Sequence, residues 1–215
     1  MPFLFCYLYS YTKNSTRIHC INLRKASTLD KKLVSDILVS AFLPLKENNS
    51  INLVVKQDEK RIERTQLLMD YLFERAIRFG EVYISDNNQA CILLKFPHTE
   101  KITFKTILLD INLAFSCIGL ERIFSVLKRQ RIAERNYPKE KHIRPMIMGV
   151  NTDFDGKGTA ARLMFEVKNK FMHHQLPVII DAASEHNVQL YQKFGFRIIK
   201  KEESLGFPIY FLRLN

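Results

Sequence analysis

The stretch richest in chemistry is Asp155-Gly156-Lys157-Gly158-Thr159-Ala160, set between an apolar run, Ile143 to Val150, and an amphipathic one. In the second run Ala160, Leu163, Met164, Val167 and Phe171 share one helical face, and Arg162, Glu166, Lys168 and Lys170 take the others. A strand, a glycine turn and a helix in that order expose backbone N–H groups at the positive end of a helix dipole. Glycines let a ligand approach them, so the turn suits a phosphate. A nucleotide-hydrolysing loop needs Lys followed by Ser or Thr, and Lys157 is followed by Gly158, which argues against it. The dinucleotide fingerprint matches Gly156, Gly158 and Ala161, with Asp181 lying 23 residues past Gly158. Only 57 residues follow Gly158, however, too few for the rest of a doubly wound domain. An acyl-CoA turn is the third candidate, and a plain helix start whose glycines serve only the turn is the fourth.

The elements that must position this turn can be read from periodicity and punctuation. His19 to Lys25 reads as a first strand, and Asp30 as the cap of a helix carrying Leu33, Val34, Ile37, Leu38, Ala41 and Phe42, stopped by Pro44. Asn48 to Asn52 reads as loop and Asp58 to Phe79 as a long helix with Gly80 as its C-cap. Glu81 to Ser85 and Ala90 to Phe96 form a hairpin around Asp86-Asn87-Asn88-Gln89. Thr103 to Arg135 reads as two helices broken near Gly119, the first apolar nearly all round. From Ile143 the order is strand, glycine turn, helix (Thr159 to His173), strand (Pro177 to Asp181), helix (Glu185 to Phe194) and a terminal β pair (Phe196 to Lys200, Pro208 to Leu214). The alternation makes the class α/β or α+β with a mixed sheet.

The tail then carries a resemblance. Glu185-His186-Asn187-Val188-Gln189-Leu190-Tyr191-Gln192-Lys193-Phe194-Gly195-Phe196 resembles the second signature of the GNAT superfamily of N-acetyltransferases: an Asn, a Tyr four residues on, and a K-x-G-F ending that opens a strand. The glycine turn resembles the first signature, Gln/Arg-x-x-Gly-x-Gly/Ala, with Gly158 and Ala160 in the small positions and Asp155 where the family has Gln or Arg. The resemblance is strong from Ile143 to Lys200 and weaker from His19 to Phe96, and residues 97 to 140 look like a helical insertion. It implies a GNAT-like mixed, mostly antiparallel central sheet flanked by helices over residues 19–215, with 1–18 as an N-terminal extension.

The resemblance also implies a chemistry: direct transfer of an acetyl group from acetyl-CoA, as acyl-donor co-substrate, to a primary amine of a small molecule or protein. Carried over, Met148 and Val150 would contact the pantetheine arm through their backbone, and Asn187 through its side chain. Gly156, Lys157, Gly158, Thr159 and Ala160 would meet the pyrophosphate. Tyr191 stands in the position of the general acid for the leaving thiolate, and a tyrosine is protonated at neutral pH. Read alone, Tyr191 is a core aromatic on an amphipathic helix. The amine must be neutral to attack, and His142 is a candidate base, with an exposed histidine in the KEKHIR run as its plainer reading. His98 and Glu100 are weaker candidates. No metal is called for.

Composition bounds the rest. The chain has 215 residues, 47% hydrophobic and 26% charged, which suits one globular domain with an extension or insertion. Gly and Pro total 14, which excludes collagen-like or low-complexity chains. Cysteines at 6, 20, 91 and 117 form no CxxC pair, so they read as reduced, buried thiols of a cytoplasmic protein. No run approaches 18 apolar residues, and Met1 to Tyr11 is too short to span a bilayer, so no membrane partner is expected. The net charge is +11, and eight Lys/Arg against three Asp/Glu lie between Leu120 and Arg144. Two other readings follow: a catalytically inactive CoA-binding or interaction module, motivated by Asp155, and a nucleic-acid-binding face of Arg122, Lys128, Arg129, Arg131 and Arg135 on the helix 120–135. Few aromatics interleave those cations, so nucleic acid is the weaker partner class. A homodimer is compatible with all three.

Overall fold

A computed structural model describes residues 22–46, 49–154, 158–171, 176–204 and 207–215. Strand β1 (Leu23–Lys25) is followed by helices α1 (Lys31–Phe42), α2 (Ser50–Val54) and α3 (Arg61–Phe79). The hairpin β2 (Gly80–Ser85) and β3 (Ala90–Lys95) comes next, then α4 (Phe104–Leu113) and α5 (Ile123–Asn136). The chain ends β4 (Arg144–Val150), α6 (Thr159–Phe171), β5 (Val178–Ala182), α7 (Glu185–Lys193), β6 (Arg197–Glu202) and β7 (Ile209–Leu214). The class is α+β, as the sequence suggests.

The strands form two antiparallel sheets, ordered β1-β2-β3-β4 and β5-β7-β6. They meet at one place. Ile143 pairs in parallel with Val178, its N–H donating to Pro177 C=O at 2.9 Å and its C=O accepting from Ile179 N–H at 2.9 Å. Beyond that bridge no ladder continues, so β4 and β5 diverge toward Val150 and Ala182. The result is a wedge, closed at Ile143 and open at the C-terminal ends of both strands.

Apolar side chains fill both faces of this divided sheet. One cluster joins Val34, Leu38 and Phe42 of α1 and Leu68, Leu72 and Ala76 of α3 to Leu93 and Ile147 of the sheet. The other joins Leu163, Met164 and Val167 of α6 and Val188 and Tyr191 of α7 to Met148, Val150, Ile180 and Ala182. The face expected for α6 is therefore the buried one, since apolar residues at helical spacing bury only if that stripe faces the core.

Local chemistry corrects several expectations. Ser27, not Asp30, caps the first helical segment: its hydroxyl accepts from Leu29 N–H, and the Asp30 carboxylate reaches back to Ser27 N–H at 2.8 Å in a capping box. Asn49 caps the short helix α2 where a loop was expected, accepting from Asn52 N–H at 2.8 Å. Gly80 follows α3 but adopts φ −173°, which is extended backbone. Glycine is required there because a Cβ would overlap the Leu94 carbonyl. Residues 19–21, on which the first strand was expected to start, lie outside the described residues, as do Cys6 and Cys20. Cys91 and Cys117 are free and buried. Among the described residues no helix is long and apolar enough to cross a membrane.

Candidate functional site

Strand β4 lines the wedge, and its register shows which of its backbone groups face the opening. Asn151 N–H donates to Gln89 C=O at 2.8 Å. The pairs Cys91↔Gly149 and Leu93↔Ile147 continue that phase. Hydrogen-bonded and non-hydrogen-bonded pairs alternate along an antiparallel ladder. The N–H and C=O of Asn151, Gly149 and Ile147 thus point at β3, and those of Met148 and Val150 point at the wedge. The side chains of Met148 and Val150 are buried under α6 and α7. A register shift between Leu93 and Leu94 skips Met146, placing a bulge in β4 just above the closed end. Such bulges re-aim the strand that carries them.

The glycine turn stands beside the open end. Gly156 and Lys157, with Asp155, lie outside the described residues. Gly158 has φ +73°, a backbone that favours glycine, and a Cβ there would have only the Arg162 guanidinium within 4 Å. Its C=O accepts the first bond of α6, from Arg162 N–H at 3.1 Å. The N–H groups of Thr159, Ala160 and Ala161 fall in the first turn, where a helix supplies no acceptors. Thr159 and Ala160 bury their side chains, which leaves the backbone as their polar offering. These groups, with the positive end of the α6 dipole, fit an anion.

Helix α7 brings Asn187, Val188 and Tyr191 into the core. Its C-terminus explains the K-x-G-F ending. Phe196 N–H donates to Tyr191 C=O at 3.0 Å and Gly195 N–H to Gln192 C=O at 2.9 Å, with Gly195 at φ +94°. That is a Schellman motif, and its customary apolar contact is made by the Tyr191 and Phe196 rings, 5.7 Å apart. Lys168 of α6 donates to Phe194 C=O at 3.0 Å, tying the two helices together. Tyr191 is fully buried.

His142 is placed elsewhere. It precedes β4 at the closed end of the wedge and is buried, not exposed. Its Nδ1 lies 2.8 Å from Glu140 C=O, its ring stacks on Tyr137 at 5.7 Å, and its Nε2 has no hydrogen-bond partner. Burial lowers its pKa, partly offset by the Glu140 carbonyl, so the imidazole is neutral near pH 7. Glu100 pairs with Arg75 and Lys95, and His98 is exposed and stacked on Phe96 at 6.2 Å. Burial would raise the Glu100 carboxyl, but Lys95 and Arg75 hold it below the usual range, which makes it a weak base. Burial depresses Lys95 to about 8 despite Glu100.

Sequence reasoning missed the network on the opposite face of β5. Asp181 is 2% exposed and accepts from Arg129 of α5 and from the Tyr137 hydroxyl, with Arg144 at 3.4 Å. Burial alone would raise the Asp181 carboxyl; the two guanidiniums and the hydroxyl overcome it and hold the carboxyl below its usual range. The Arg144 guanidinium lies 3.9 Å over the Tyr137 ring. Asp181 is thus occupied by protein partners and is no ribose ligand. The same contacts thin the basic face of α5: Arg129 is buried, and Arg122 donates to Val55 and Asn52 carbonyls at 2.8 Å. Among the described residues no group of three His, Cys, Asp or Glu stands together as a metal site.

Comparison with known proteins agrees with this geometry. Residues 127–206 match the family model of the acetyltransferase (GNAT) domain. No curated protein matches the chain. Among solved structures, one titled histone acetyltransferase HPA2 and related acetyltransferase, from Corynebacterium glutamicum, aligns over 90% of this chain and 95% of its own at TM-score 0.66 and 17% identity. Arylalkylamine N-acetyltransferase 2 from Aedes aegypti aligns over 90% and 98% at TM-score 0.60 and 14% identity. A Drosophila melanogaster polyamine N-acetyltransferase that forms N-acetylagmatine aligns over 91% and 99% at TM-score 0.52 and 13% identity. Such identities speak for the fold, and the domain match speaks for the family. The chain carries an acetyltransferase (GNAT) domain over residues 127–206 within a GNAT fold, and through that domain belongs to the GNAT superfamily.

Proposed function

We propose that this protein is an acetyl-CoA-dependent N-acetyltransferase acting on a primary amine. The observation that carries the reading is the wedge: the Met148 and Val150 backbone groups face it, and the α6 N-terminus with Gly158 stands at its mouth. A thin, flexible amide-bearing arm needs paired backbone donors and acceptors along a slot, and an anion needs unpaired N–H groups at its end. The residues fit both demands. When bound, acetyl-CoA supplies the acetyl group as an activated thioester.

This chain's residues do the rest. Met148 and Val150 orient the arm through their N–H and C=O, with the Asn187 amide as a side-chain partner. Gly158, Thr159 and Ala160 hold the phosphates, with Gly156 and Lys157 of the same turn. Tyr191 keeps its phenolic proton at neutral pH and donates it from Oη to the departing sulfur. The α6 and α7 side chains that pack beneath the wedge exclude water from that transfer. An amine acceptor accords with the arylalkylamine and polyamine enzymes that share the fold. His142, behind the closed end, is a weaker candidate for the base than its type suggests.

The test is calorimetric titration with acetyl-CoA followed by turnover on aryl-alkyl-amines and polyamines. Micromolar binding that Gly158→Glu abolishes is expected, because a carboxylate at φ +73° would meet the phosphates. Tyr191→Phe should lower kcat with little change in acetyl-CoA affinity. Absence of acetyl-CoA binding by the folded wild type would overturn the reading.

A further inference from the structure

Helices α4 and α5 present an outer surface that a protein in water does not ordinarily show. In α4 and the π-helical turn that continues it through Ile118, Thr106, Leu113 and Cys117 turn inward. The opposite stripe is Phe104, Ile107, Leu108, Ile111 and Phe115, each exposed, Phe104 at 75%. Their spacing of three and four residues puts all five on one line about 16 Å long. A helix apolar on both faces has apolar surroundings on both sides. On α5, the exposed stripe opposite Val126, Arg129 and Ala133 begins with Phe124 and Leu127 and continues as Lys128, Arg131 and Arg135. Phe124 is 83% exposed. Lys101 and Lys105 flank the start of α4, and none of these five cations pairs with a carboxylate among the described residues.

We propose that this face docks on an anionic lipid surface, with the α4 stripe and Phe124 in the headgroup boundary and Lys101, Lys105, Lys128, Arg131 and Arg135 against the phosphates. Charge decides among the occupants. A second copy on a two-fold axis would set this patch against itself and bring Lys128, Arg131 and Arg135 against the same cations. Protein partners are bound through Tyr, Trp, Met and Arg at the patch centre, whereas this centre is Ile, Leu and Phe alone. A bilayer interface asks only for apolar area on one side and cations beside it. The expectation of no membrane partner rested on spanning segments, and a helix lying on the surface needs none. The inference is independent of acyl transfer.

The test is co-sedimentation of the full chain with vesicles of phosphatidylcholine alone and of phosphatidylcholine mixed with phosphatidylglycerol. Binding is expected on the mixed vesicles, weakened by salt, and absent from the neutral ones. Lys128→Gln with Arg131→Gln should weaken it about thirtyfold, at about 1 kcal/mol per cation. Ile107→Ser with Ile111→Ser should abolish it while leaving the thermal melt unchanged, since both side chains are already exposed. If that pair misfolds, Phe104→Ser carries the same expectation. Equal binding to both vesicle types, or binding that the stripe variants do not change, would overturn the proposal. So would a dimer in light scattering that the stripe variants dissolve, because a second copy would then cover the face.

Discussion

Asp181→Asn is the substitution that most directly tests the electrostatics of this fold. It preserves shape and removes one charge from a carboxylate that is 2% exposed and faces Arg129 and Arg144. Arg129 Nε and Nη1 and Arg144 Nε already lack hydrogen-bond partners, so the carboxylate is what offsets the burial of both guanidiniums. Removing one partner of a buried ion pair costs about 3–5 kcal/mol, because the surviving charge stays desolvated. For a chain of this size that is about 6–20 °C of Tm, at roughly 2–4 °C per kcal/mol. The pH dependence follows from the sign. The Asp181 carboxyl sits below its unfolded value, so the unfolded chain binds more protons in that window and stability rises with pH across it. The wild-type advantage should be full above about pH 4, near the ordinary Asp value, and should close as pH falls through the folded one. Urea denaturation at several pH values measures it. In a cycle with Arg129→Gln, the double variant should lose less than the sum of the singles by about 0.5–3 kcal/mol. A loss under about 1 kcal/mol at pH 7, well short of the buried-pair cost, or a gap unchanged by acid, would refute the reasoning.

Gly80→Ala should destabilise by about 1–3 kcal/mol, since its Cβ would meet only backbone atoms of Leu94 and Lys95, which cannot step aside; thermal denaturation measures it. Gly195→Ala should cost about 1–2 kcal/mol through its left-handed backbone alone, because the nearest side chain, Leu214, leaves room at 3.4 Å. The folded protein should protect Cys91 and Cys117 from alkylation at pH 8, since both are buried and burial raises the Cys117 thiol to about 12. Peptide-level mass spectrometry after a short pulse reads this, and labelling of Cys117 as fast as in urea would contradict it.

What could be read in the sequence was what depends on neighbours along the chain. The Gly195-Phe196 ending was legible because a Schellman motif needs a glycine at one position and an apolar residue at the next. The hairpin was legible from Asn88, which sits at φ 56°. The buried stripe of α6 was legible from its spacing alone. Failures came where a residue's environment is assembled from distant segments. Arg129, Tyr137, Arg144 and Asp181 span three elements, so nothing local marked Asp181 as a shared counter-ion rather than a ribose ligand. Gly80 looked like a cap because the constraint it answers belongs to a partner strand 14 residues away. Periodicity placed apolar residues all round α4 without saying that half of them face solvent.

The wedge itself illustrates the limit best. Met148 and Val150 could be named only by resemblance, because their contribution is backbone, and every residue but proline carries the same backbone groups. Which of those groups point into the opening depends on the phase of the β3–β4 ladder, set by Asn151 and Gln89, and on the bulge at Met146 below it. Moving that bulge by one residue would turn Met148 and Val150 toward β3 and present Ile147 and Gly149 to the wedge instead. It would also swap their side chains between the two cores, setting Gly149, whose Cα packs against Leu38 and Ala41, under α6. The close fit of Gly149 on α1 therefore fixes the phase of β4, and through it which peptide groups can hold an acyl carrier.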